Sequence, residues 1–127
     1  MSNLPAVMRD IQVGTVLTYS RAYSADDLKI FNELSEGLSG ESIEFVPDLL
    51  ALAPLTKIGG DLNYIAQRMA WTAHRRVVVG ERLEAQLIVQ RLEERESVIK
   101  ISFAARIIGE ADDIVLHGES NGIVAKV

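Results

Sequence analysis

The apolar positions of this chain switch between spacing by two and helical spacing, and the switches mark its elements. From Val16 to Tyr23, β-branched and aromatic residues recur in a run too short and too alternating for a helix, which predicts a strand. Ser24 then offers an N-cap oxygen, Asp27 stands at the capping-box position, and Leu28, Phe31 and Leu34 follow at helical spacing. The pattern predicts a helix over Ala25–Ser35. From Glu36 to Phe45 the chain is rich in Gly37, Ser39, Gly40 and Ser42, the composition of a loop. Pro47 suits a first helical position and Asp48 complements the helix dipole. The stretch from Leu49 to Ile58 is apolar nearly all round and stops at Gly59-Gly60, so a buried helix is expected there, with Leu49, Leu50, Leu52 and Leu55 in the core. Pro54 lies inside it and either kinks the helix or marks its effective start.

Beyond Asp61-Leu62-Asn63 the period returns to two. Ile65, Met69, Trp71 and Ala73 are expected on one side of a strand from Tyr64 to His74. Leu83, Ala85, Leu87 and Val89 repeat the alternation, Glu93 to Glu96 is a polar turn, and Ile99, Ile101, Phe103, Ala105 and Ile107 form the next strand. Gly109 to Asp113 is another turn, followed by a last strand from Ile114 to Val127 with an irregularity near Gly118 or Gly122. This order predicts one α+β domain over residues 1–127, in which a long antiparallel sheet wraps a central apolar helix. Open sheet edges invite unwanted pairing, so a homodimer that joins two edges across a two-fold axis is expected.

Composition narrows the function classes. The formal net charge is −5, against the clustered basic face that nucleic-acid binding needs, and Arg75-Arg76 is the one basic cluster. There is no cysteine, which excludes disulfides, thiolate metal sites and a cysteine nucleophile. The two histidines lack metal-ligand spacing. No metal or cofactor is called for. The N-terminus lacks the pattern of a signal peptide, and no apolar run matches a membrane span, so a soluble, cytoplasmic protein is expected.

Val13-Gly14-Thr15, the segment Tyr23 to Leu34, Val46 to Leu50, and Val78 to Leu83 together resemble, in order and separation, the MaoC-like branch of the hot-dog superfamily. That branch comprises (R)-specific enoyl-CoA hydratases and hydroxyacyl dehydratases. The resemblance spans nearly the whole chain and implies a hot-dog dimer that holds acyl-CoA or acyl-carrier-protein thioesters in a tunnel at the subunit interface. The hydratase motif is an Asp, then Asn-Pro, then a His five positions after the Asp. Laid without gaps from Leu34, it falls on Gly37, Ser39, Gly40 and Ser42, so the acid-base pair is missing. Hydration needs a carboxylate and an imidazole converging on one water, which neither glycine nor serine supplies. Active members also carry a glycine at the start of the long helix, where Asp48 stands here. The thioesterase branches show a His-Gly-Gly or an Asp-containing motif before that helix, and this chain has neither.

Several polar groups remain candidates. Glu41, Glu44 and Asp48 form an acidic set near the apolar helix from which one carboxylate would activate water; equally, Asp48 is a first-turn dipole partner and the glutamates are solvated. His74 reads as a general base at a tunnel mouth or as a plain strand-end residue, and His117 presents the same choice. Asp61 and Asn63 either approach a ligand or cap a helix end. Arg75 and Arg76 either grip coenzyme A phosphates or lie on the surface. Two functions therefore stand side by side. One is an enzyme on acyl thioesters, a hydratase/dehydratase or a thioesterase. The other is a non-catalytic hot-dog protein that binds such thioesters or partners a catalytic hot-dog subunit in a heteromer.

Overall fold

A computed structural model describes residues 8–35 and 44–126. Gly37, Ser39, Gly40, Glu41 and Ser42 lie outside the described residues. Strand β1 (Val16–Ala22) is followed by helix α1 (Ala25–Ser35), a short strand β2 (Phe45–Val46), helices α2 (Asp48–Ala51) and α3 (Ala53–Asp61), and strands β3 (Tyr64–Ala73), β4 (Val77–Val78), β5 (Arg82–Glu94), β6 (Val98–Ile108) and β7 (Ile114–Ala125). Five strands form one antiparallel sheet in the order β1-β5-β6-β7-β3, while β2 pairs with β4 in a separate two-stranded ladder.

The first helix starts as its sequence dictates. Asp27 donates its backbone N–H to Ser24 Oγ at 3.2 Å, and the Ser24 N–H reaches back to Asp27 Oδ2 at 2.9 Å, which closes a capping box. Leu28 is buried, whereas Leu34 is exposed. Gly14 takes a φ of +93° and hydrogen-bonds Val89, tying the chain ahead of β1 to β5.

The apolar helix differs from the single rod expected from the sequence. Pro54 has no N–H to continue α2, so the chain breaks at Leu52 and restarts as α3 with proline in its first turn. The second piece runs through Gly59-Gly60 to Asp61. Leu55 is buried, but Leu50 and Leu52 are half-buried and Leu49 is 75% exposed, a correction to the expected core.

The helix α3 packs across the sheet against β1, β5 and β3. Toward it the sheet presents Leu83, Ala85, Leu87 and Val89 from β5 and Ile99, Ile101, Phe103, Ala105 and Ile107 from β6, all buried. On β3 the expected alternation is interrupted. The register with β7 shifts between Ala66 and Arg68, leaving Gln67 as an extra residue. Met69 and Trp71 therefore face inward opposite Ser120 and Gly118, while Ile65 pairs with Ile123 and faces the other way. The last strand carries its own irregularity at Val115, three residues before Gly118, and the one beside Gly122 resides on β3.

Candidate functional site

Between α3 and the sheet lies a pocket of about 420 Å³. The helix side contributes Leu52 and Leu55, the sheet contributes Tyr64, Trp71 and Phe103, and Met69 and Leu49 form its exposed rim. The Tyr64 and Phe103 rings meet edge to face at 5.1 Å between centroids. Space for the two aromatic rings of β3 comes from glycine on β7. A Cβ on Gly118 would strike Trp71 and the Ala70 carbonyl, and one on Gly122 would strike Tyr64 and the Ile65 carbonyl.

The polar side chains in this wall are Thr56, Tyr64 and Ser120. Tyr64 Oη and Ser120 Oγ share a hydrogen bond at 2.7 Å. Burial pushes the Tyr64 hydroxyl above its ordinary pKa, and the bond to Ser120 opposes that shift. Among the described residues, no Asp, Glu, His, Lys or Arg lines the pocket. Such a surface accepts an apolar chain and offers a neutral polar group through Tyr64 and Ser120. Reading the residues alone missed both. The signal was present: Ser120 is the single hydroxyl in the inward series Leu116, Gly118, Ser120, Gly122 and Val124 of β7.

The residues singled out from sequence are not brought together here. Asp48 is exposed at the start of α2, and Glu44 is exposed beside β2, with its carbonyl accepting from Val79. Asp61 forms an ion pair with Lys57 one helical turn earlier at 2.6 Å. Asn63 takes a φ of 55° and turns the chain from α3 into β3. His74 and His117 stack at 4.7 Å between centroids, with Nε2 and Nδ1 2.6 Å apart. His117 pairs with Arg106 and Thr72 on the sheet face turned away from α3, so both of the chain's histidines lie behind the pocket.

Arg75 engages every N–H donor of its guanidinium within the chain. Nε and Nη2 reach Asp113, Nη1 and Nη2 reach Glu81, and Nη1 also reaches the Arg76 carbonyl, at 2.5 to 3.1 Å. This knot lowers the pKa of both carboxylates, chiefly through the Arg75 hydrogen bonds. Arg76 is exposed, with its guanidinium 4.9 Å from the centre of the Phe45 ring.

No family model and no curated protein matches the chain. Solved structures do. An (R)-hydratase from A. caviae involved in PHA biosynthesis superposes with a TM-score of 0.75 at 19% identity, covering 90% of this chain and 97% of that one. The HadBC (3R-hydroxyacyl-ACP dehydratase) complex from Mycobacterium tuberculosis gives 0.60 at 12% identity, with 91% and 98% covered. A thioesterase superfamily member from Thermus thermophilus gives 0.69 at 14% identity, with 94% and 88% covered. With α3 packed against its antiparallel sheet, the chain has the hot-dog fold of these proteins.

Proposed function

We propose that this chain is a MaoC-like hot-dog protein that binds the acyl group of an acyl-CoA or acyl-carrier-protein thioester in the cytoplasm and lacks the acid-base pair of a hydratase. The observation that carries this reading is an apolar pocket of about 420 Å³ whose described polar groups are neutral hydroxyls. Removing each buried methylene from water is worth about 0.8 kcal/mol, so the pocket favours longer acyl chains. General acid-base catalysis needs ionisable groups within reach of the reacting atoms, and neither histidine is on the pocket side of the sheet.

A homodimer completes the site. The outer edge of β3 has no neighbouring strand among the described residues, and Ile65 and Met69 on it are 58% and 59% exposed. Because β3 is also the pocket rim, a second copy paired along it would cover Met69 and narrow the opening. The same edge suits a catalytic hot-dog subunit, and the missing acid-base pair supports that heteromeric role as a second reading.

Calorimetric titration with saturated acyl-CoAs of increasing length tests the binding. Affinity should rise about fourfold per methylene until the pocket is full. Crotonyl-CoA hydration should fall below that of an intact (R)-hydratase by at least the roughly 10²–10⁴-fold that positioned acid-base groups contribute. Affinity independent of chain length, or turnover within about tenfold of an intact enzyme, would refute the reading.

A further inference from the structure

On the sheet face turned away from α3, the strand register lines up a polar row. Arg91 of β5 stands opposite Ser102 of β6, Ser102 opposite Asn121 of β7, and Asn121 opposite Arg68 of β3. All four border one recess of about 180 Å³. Arg91, Ser102 and Asn121 also border an adjoining recess of about 260 Å³ that Lys100 and Gln67 help to line. Two of the sheet's three irregularities bracket the row, with Gln67 the extra residue before Arg68 and Gln90 the extra residue before Arg91, while the third lies at Val115 of β7. Bulges bend a strand and re-aim its side chains, and here they set an arginine at each end of the row.

Charge distinguishes this row from ordinary surface. The chain has 18 Asp and Glu against 13 Lys and Arg, an excess from which surface cations readily find partners. Among the described residues, however, no carboxylate forms an ion pair with Arg68, Arg91 or Lys100. Glu93, opposite Lys100 in the register, is held by Arg95 at 2.7 Å. Glu119 on the rim of the smaller recess opposes the cations in part. Glu93 also lines the larger recess, with its charge offset by Arg95, so Arg68, Arg91 and Lys100 against Glu119 leave the face locally positive on a negative protein.

We propose that this row is a binding site for the phosphoryl group of a soluble phosphate ester. Each guanidinium donates paired N–H groups that match phosphate oxygens, and the Asn121 amide and Ser102 hydroxyl between them supply further neutral donors. A bound dianion relieves the mutual repulsion of the cations. The site lies on the opposite face of the sheet from the acyl pocket and stands or falls separately from it.

The test is calorimetric titration of the full chain with inorganic pyrophosphate, with phosphatidylglycerol vesicles in a parallel sedimentation arm. Pyrophosphate should bind, and R68Q and R91Q should each weaken it at least about tenfold, the loss of a charge-assisted hydrogen bond. Lys29→Gln, an exposed charge on α1 that borders neither recess, should leave binding unchanged. Both arginine substitutions are on the surface, and circular dichroism verifies that the variants are folded. Absence of pyrophosphate binding at about 1 mM, retention of affinity within about twofold in both variants, or binding to vesicles alone would each overturn the assignment.

Discussion

Tyr64 and Ser120, 56 residues apart in the chain, meet hydroxyl to hydroxyl at 2.7 Å inside a mostly apolar pocket. Burial raises the Tyr64 pKa above 10.0, and burial against the core raises that of Tyr23 as well. The unfolded chain therefore loses these protons before the folded one does, so stability should fall as pH rises through 10.0 toward the folded values. Melting temperatures followed into alkali should show this decline, and Tyr64→Phe should make it shallower. An identical alkaline slope in the variant would contradict the burial of this hydroxyl.

The Arg75 knot has the opposite pH signature. Glu81 and Asp113 have pKa values below their ordinary 4.5 and 3.8, so their contribution is complete above that range and is lost as pH falls through the folded values. Arg75→Met should lower the melting temperature by several degrees at neutral pH, and the gap to the parent protein should close in acid. The same variant should bind acyl-CoA with unchanged affinity, since all the guanidinium N–H donors are already engaged within the chain. A selective loss of acyl-CoA binding would restore Arg75 as a ligand residue.

Glycine on β7 makes room for the pocket's aromatic wall. In Gly118→Ala or Gly122→Ala the new methyl group meets a backbone carbonyl of β3, which cannot swing aside as a side-chain tip does. Each substitution should cost about 1–3 kcal/mol in urea unfolding, the range for overpacking. Gly60→Ala, where nothing lies within 4 Å of the added carbon, is the matched control and should be tolerated.

Leu49 separates folding from binding. Its side chain is 75% exposed yet borders the pocket, so Leu49→Ser should change stability by no more than about 0.5 kcal/mol. Affinity for a long-chain acyl-CoA should drop by roughly fivefold from the lost apolar contact. Urea unfolding and calorimetry on the same preparation read the two effects, and unfolding without loss of affinity would place Leu49 in the core instead.

Local chemistry made much of the architecture legible in the sequence. The Ser24 and Asp27 capping box spans one helical turn and needs no distant partner. Strand β6, and β5 as far as Val89, bury every second residue, so their alternation alone announced both their existence and their inward face. The tertiary structure decided what depends on register and docking. The extra residue Gln67 reverses the side on which Ile65 lies, a shift visible only against β7. Leu49 is as apolar as Leu55, and the placement of the broken helix exposes one and buries the other. Asp113 closes on Arg75 from 38 residues away, and Ser120 closes on Tyr64 from 56. Backbone preferences act over a few residues and are written into neighbouring side chains. Which polar groups meet is set by how distant strands align, and that emerges only when the sheet closes over its helix.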